Sequence, residues 1–378
     1  MTVLVVLYGK GYRFGLSNGA PALSGTGLLV TTSNPDGAQV FVNGHLTTAT
    51  DNTINLAPGN YDVKIYKEGY FPWEKQLVVK KEVVTKADAL LLPTAPKLES
   101  ITNTGISNPV IDPSLTKLAF NVASQSAVKN GIYVLDMSSR PILTFQASSN
   151  QIADDTSFPF SKATLSWSPD GSQILASISG QSMFLLAANG MNSNPTDVTE
   201  TLSATTALWN KQKTDKQKAQ NEALPKTLRS IVSNDFNILQ WSEDETKILY
   251  EASNDTTLPP IITPALIGTD STPEERTLSK GAVYVYDIKE DKNFKILDKL
   301  PEGTPSPIMF FPDSTHLVYV HNGKIDMMEY DAQNQTTVYA GPFVNDYVFP
   351  WPDGSKLVIL TNLGNPNILP NLYTISLK

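Results

Sequence analysis

The sequence predicts an all-β protein in two parts, with one helical insert. Three observations carry this. Charged residues make up only 17% of the 378, so the surface must lean on Ser, Thr, Asn and Gln, which favour turns over helix interiors. Apolar and polar residues alternate at period two in short runs, the pattern of half-buried strands. Pro-Asp-Gly, Asn-Gly and Pro-Gly turn signals separate those runs.

Bulk properties narrow the function before any motif is read. The length allows two or three domains, each with its own core. A net charge of −8 argues against a general nucleic-acid binder, which would carry a basic face. No cysteine is present, which excludes disulfides, thiolate metal sites and a cysteine nucleophile. His45, His316 and His321 are the full histidine set, and His45 lies far from the other two in sequence. No metal site, cofactor site or catalytic residue is therefore expected. No nucleophile-elbow, phosphate-loop or dinucleotide motif occurs either.

Residues 1–26 hold an apolar run, Val3 to Tyr8, too short for the roughly 20 residues of a membrane span. Followed by Lys10 and Tyr12-Arg13-Phe14, the run reads as the outer end of a membrane helix leaving through the interface, with a linker behind it. A first β-strand is the alternative.

From 27 to 93 the pattern is strand, turn, strand. Val40 and Val42 alternate with Gln39 and Phe41, and Asn43-Gly44 signals a hairpin. Pro58-Gly59 reads as the centre of a type II turn. Tyr61, Val63 and Ile65 share one face, Gly69-Tyr70 breaks the strand, and Trp73 sits in the next. Leu77–Val79 and Ala89–Leu92 complete the unit, and Pro93 and Pro96 follow as linker. Pro35-Asp36-Gly37-Ala38, with Val40, Asn43-Gly44, Thr50, Leu56, Pro58-Gly59, Tyr61, Gly69-Tyr70 and Trp73, resembles the PEGA domain, with Asp36 where that family has Glu. The resemblance implies a small β-sandwich used as a spacer or interaction module in envelope and surface proteins. Pro35 fixes φ and Gly37 permits the turn, so the tetrapeptide reads as structural.

From 94 to 378 a different unit repeats: NPVIDPSLTKLAFNV, LSWSPDGSQILASIS, LQWSEDETKILYEAS, IMFFPDSTHLVYVHN and YVFPWPDGSKLVILT. Each is an apolar strand, an acidic turn and a second apolar strand, with a third strand behind it. This is the hairpin of a propeller blade. Trp167-Ser168-Pro169-Asp170-Gly171 resembles the repeat of the Tol-system propeller and its WD-like relatives. Pro312-Asp313 and Pro352-Asp353-Gly354 match it in part. Five hairpins suggest five blades, with a strand near 97–102 supplying the last blade's fourth strand and closing the ring.

Two inserts interrupt the repeat. Residues 204–234 are rich in Lys, Gln and Ala and read as helix over about 205–233, with Pro225 starting a second one. Leu208, Trp209 and Leu224 are its docking residues. Residues 254–280 carry Pro and Thr without a period and read as a long loop. The whole resembles membrane-anchored proteins of uncultured, small-genome bacteria, with Tyr284–Phe294 part of the likeness.

Several acidic, basic and aromatic residues have both a chemical and a structural reading. Asp112, Asp170, Asp244, Asp313 and Asp353 recur in turns, which suits turn capping; a glycan hydrolase with channel carboxylates is the enzymatic alternative. Asp136 and Asp287 also read as turn residues. The runs at 290–293 and 254–257 lack the ligand spacing of a calcium loop. Lys211, Lys213, Lys216, Lys218, Lys226 and Arg229 could meet an anionic polymer or lipid, but suit a solvated helix better. Trp73 and Tyr70 could stack on a sugar, but suit the core better. The residues point to a non-enzymatic binding protein, and the resemblances imply an extracytoplasmic envelope location with a polysaccharide or surface protein as partner.

Overall fold

The computed structural model describes residues 12–17, 20–138, 149–179, 182–301, 307–344 and 347–378. The apolar run from Val3 to Tyr8 lies outside them. Strand β1 (Tyr12–Ser17) pairs with β2 (Ala20–Gly25). The Tyr12-Arg13-Phe14 stretch is thus strand, a correction to its reading as a helix exit and linker. Among the described residues no helix is long and apolar enough to cross a membrane.

Seven strands follow: β3 (Gly27–Asn34), β4 (Gln39–Val42), β5 (His45–Ala49), β6 (Asn52–Leu56), β7 (Gly59–Tyr66), β8 (Trp73–Val79) and β9 (Val84–Leu90). They form two sheets, ordered β6-β3-β9 and β5-β4-β7-β8. Leu29, Ala87 and Ala89 from the first sheet meet Val40, Val63, Ile65 and Leu77 from the second in one core. Thr50 ties the motif loop to this core, since its hydroxyl accepts from the Ala38 N–H at 2.9 Å. Two expectations change. Gly59 does not take the positive φ of a type II turn and already pairs with Val79. The last strand starts at Val84, not Ala89, and runs parallel to β3.

After residue 94, five four-stranded antiparallel sheets occur among the described residues. Sheet I spans Ser107–Asp154, sheet II Thr164–Asp197, sheet III Phe236–Leu297 and sheet IV Ile308–Tyr339. Sheet V combines Val348–Pro350, Lys356–Thr361 and Asn371–Ser376 with Leu98–Ser100, which pairs with Tyr373–Ile375. Apolar clusters join sheet III to IV, IV to V, V to I and I to II.

One turn geometry repeats in all five sheets. The fourth turn residue is left-handed each time: Leu115, Gly171, Glu245, Ser314 and Gly354 have φ of 58, 67, 54, 61 and 66°. Only two of the five are glycine, so the packed hairpin imposes the conformation on the other three at a cost. Asp170, Asp244, Asp313 and Asp353 hold the third position and accept main-chain N–H groups two residues on. Asp112 does not share their place. It stands at the first position, equivalent to Ser168, and accepts from the N–H of Ser114, Thr116 and Lys117.

The first insert forms helices α1 (Leu202–Ala223) and α2 (Lys226–Asp235), the second starting just after Pro225. Trp209 and Leu224 are buried, but Leu208 is 56% exposed, so it is not a docking residue. Leu224, Leu228 and Val232 pack on sheet III. The second insert separates the second and third strands of sheet III. It is loop apart from a short pair, Thr256–Thr257 with Thr277–Leu278.

Candidate functional site

The structure brings the small sandwich and the sheet region together through the second insert. On β8, residues 73, 75 and 77 point to the same side by strand alternation. Trp73 and Leu77 fill the sandwich core, and Lys75 lies between them at its mouth. The Lys75 ammonium meets Asp331 at 2.6 Å, Glu329 at 2.9 Å and Asp270 at 3.1 Å. Glu329 ends a strand of sheet IV, Asp331 lies in the turn after it, and Asp270 belongs to the insert. The Lys75 side chain is 8% exposed and that of Asp331 not at all.

Burying a cation is unfavourable unless it is paired and hydrogen-bonded. Burial pulls the Lys75 value down, but Glu329, Asp331 and Asp270 outweigh it and hold it above the usual lysine range. Burial also works against the charge on Asp270, yet Lys75 keeps that carboxyl below its ordinary value. Asp331 goes the other way: burial, with Glu329 and Asp270 nearby, pushes it up despite Lys75. One cation facing three carboxyl groups leaves the cluster with more acid than base, and Asp331 is the group whose charge is opposed.

Further hydrogen bonds reinforce the junction. The Trp73 indole N–H donates to Glu329. Along the β8 edge, the Glu74 N–H donates to Asn334 Oδ1 at 2.9 Å and the Val78 N–H to Ser271 Oγ at 3.0 Å. The insert that supplies Asp270 and Ser271 is itself clasped by residues 290–293. Glu290 accepts from the Asp270 N–H at 2.7 Å, and the Lys292 ammonium donates to the Asp270 carbonyl. Asp291 accepts from the N–H of Ile261 and Ile262 and pairs with Arg276. Asn293 donates to the Glu275 carbonyl at 2.7 Å. The acidic run considered for calcium is thus the clasp of the insert.

Beside the junction opens a cleft of about 700 Å³, within the usual size of ligand sites. Strand β9 forms one side. Residues 268–271, Asp313, Thr315 and His316 also line the cleft, with Gly268 packed against Val83 and Val84. His316 and Asp313 are paired at 2.7 Å. Burial opposes both charges, but the pair holds His316 above and Asp313 below their usual values.

Of the residues singled out from sequence, Trp73, Glu290, Asp313 and His316 line this cleft. Gly37, Asn43, Gly44 and Gly69 take left-handed turns in the small sandwich. Tyr70 bridges Pro93. The Trp167 indole donates to the Val110 carbonyl at 2.9 Å, linking sheets II and I. Asp170, held low at about 2 by the hydroxyls of Ser168 and Ser172, caps its own turn. The junction residues Lys75, Asp270, Glu329 and Asp331 escaped sequence reading. No local spacing connects them. The one available signal was Lys75 alternating between Trp73 and Leu77, an inward position for a charged residue.

The two-sheet topology and the left-handed motif turns agree with the sequence resemblance. Residues 26–94 match the PEGA domain family. No curated protein matches the chain. Solved structures similar to it include a putative TolB from Agrobacterium tumefaciens, at 14% identity over 78% of this chain and 76% of that one, with a TM-score of 0.23. TolB from Acinetobacter baumannii aligns at 13% identity over 84% and 60%, TM-score 0.23. An oligogalacturonate lyase from Vibrio parahaemolyticus aligns at 7% identity over 84% and 86%, TM-score 0.27. The second region is defined by its own five sheets. The PEGA domain, by contrast, is identified by family and by topology, and its β8 edge is where it meets sheet IV and the insert.

Proposed function

We propose that this chain is a non-enzymatic recognition scaffold of the cell envelope. The five sheets act as blades of one propeller, with Leu98–Ser100 closing the ring, and the propeller presents the surface that a cell-wall polysaccharide or a surface protein contacts. The PEGA domain is a fixed spacer, and the apolar run from Val3 to Tyr8 supports an N-terminal membrane attachment. The carrying observation is the burial of Lys75 among three carboxylates from beyond the PEGA domain. Such a junction favours one composite surface over two tethered modules.

A glycan hydrolase would need solvent-facing carboxylates poised for acid and base work. The acids that converge here are bound to Lys75 and buried, the Asp331 side chain fully so. The repeated turn aspartates are occupied with main-chain N–H groups. Both facts favour recognition over cleavage.

The test is co-sedimentation of the chain with purified, protein-free cell-wall polymer from its own source, over a salt series. Salt-resistant pelleting is expected. No pelleting at any salt removes the polysaccharide and leaves surface proteins as the partners to seek.

A further inference from the structure

The cleft contains an unpaired strand edge. Strand β9 is the outer member of its sheet. In a parallel ladder, one residue of an edge strand turns both main-chain groups to its neighbour and the next turns both outward. At the two ends of this ladder the Leu28 N–H donates to the Val83 carbonyl and the Leu91 N–H to that of Asn34. That phase assigns Thr85, Ala87 and Ala89 to β3. The N–H and C=O groups of Val84, Lys86, Asp88 and Leu90 are turned outward; Gly268 packs against Val83 and Val84, and Lys86 and Asp88 are left on the free edge. Among the described residues, no protein group bonds to the main chain of Lys86 or Asp88.

Exposed edges invite pairing, and proteins usually cover them. This one covers the adjacent β8 edge with Asn334 and Ser271 but leaves β9 open inside a walled cleft. Edge strand β5 is also exposed but does not line this cleft. The cleft has a charge preference as well. Asp88, Asp270, Glu290, Asp313 and Glu329 line it against Lys75, Lys86 and His316, an excess of negative charge that favours a cationic occupant.

We propose that the cleft receives an extended, Lys- or Arg-bearing segment of a partner protein, which adds to β9 as a further strand. Main-chain hydrogen bonds to Lys86 and Asp88 supply the register, and the carboxylates select basic side chains. The inference rests on the recognition reading above and names its partner chemistry. It does not depend on the polysaccharide.

The test titrates the full chain by calorimetry with acetylated, amidated (Thr-Lys)4 and with (Pro-Lys)4, which has the same charge but lacks half the N–H donors and disfavours a β-strand. Hydrogen exchange is followed in parallel. The (Thr-Lys)4 peptide is expected to bind at least tenfold more tightly and to slow exchange at Lys86 and Asp88 by at least tenfold, leaving His45–Ala49 unchanged. Lys86→Pro, tolerable where the N–H points off the sheet, is expected to weaken binding by at least tenfold. Should that variant fail to fold, exchange in the unaltered chain still decides. Equal affinity for the two peptides, no binding, or no protection on β9 would overturn the proposal. Protection that rises with protein concentration alone would assign the edge to a second copy and overturn it too. Pelleting with polymer is a separate readout, so a chain that pellets yet ignores both peptides refutes only this inference.

Discussion

The two insertions are held by opposite chemistries. Helices α1 and α2 dock by apolar side chains: Leu224, Leu228 and Val232 join the cluster of sheet III, while Lys211 and Lys218 make exposed pairs with Asp215 and Glu222. The loop insert, by contrast, is pinned largely by directional polar contacts from residues 290–293, and it reaches across to the PEGA domain. A helix satisfies its own main chain and needs only a greasy face to dock. An irregular loop must find partners for its N–H and C=O groups elsewhere. That requirement is what brings carboxylates to this junction.

The largest expected effect breaks the polar arm of this contrast. Lys75→Met leaves three carboxylates gathered without a cation and is expected to cost about 3–5 kcal/mol. Urea unfolding measures it. The deficit should be greatest at pH 7 and shrink at pH 4, because protonation relieves carboxylates that repel one another. Limited proteolysis should open the loop insert first.

The apolar arm is broken by Leu228→Ala, which creates a cavity under α2 and is expected to cost about 3 kcal/mol. Its deficit should be the same at both pH values, since no titrating group is altered. A pH-dependent loss would show that polar contacts hold the helices as well.

A smaller effect separates two carboxylates of the same cluster. Asp270 is held low, so it supports folding above its unfolded value near 3.8, and that support is lost as pH falls. Asp331 is pushed up, so its protonated form is favoured; its contribution is full in acid and is lost as pH rises through the raised value. At pH 7, Asp270→Asn should therefore destabilise more than Asp331→Asn, and the order should narrow in acid. Equal losses would mean that Lys75 compensates both alike.

Leu208→Ser is the smallest. This leucine lies on the exposed face of α1, and its loss should change stability by no more than about 0.5 kcal/mol. A larger loss would give α1 an apolar contact that its exposure does not suggest.

Much of the architecture was legible because its signals are local. Asn43-Gly44 forms its hairpin from two adjacent left-handed residues. Lys, Gln and Ala around Pro225 encode helices within the insert itself. The five acidic turns were readable for the same reason, although the structure puts Asp112 at the first turn position and the other four aspartates at the third. Sheet V was partly legible too, since the chain needed a fourth strand and the residues near 97–102 were free to supply it.

What the sequence by itself determined is the set of strands, turns and helices, because each follows from spacing, φ preference and side-chain shape within a few residues. Tertiary structure alone decided the junction and its cleft. Lys75 lies 195 positions from Asp270 and 254 from Glu329, and no propensity or period spans such a separation. The same holds for the left-handed φ at Leu115, Glu245 and Ser314, residues that favour no such conformation on their own. Charge pairing and strand-edge exposure depend on which surfaces meet, and that is settled only when the two regions pack together.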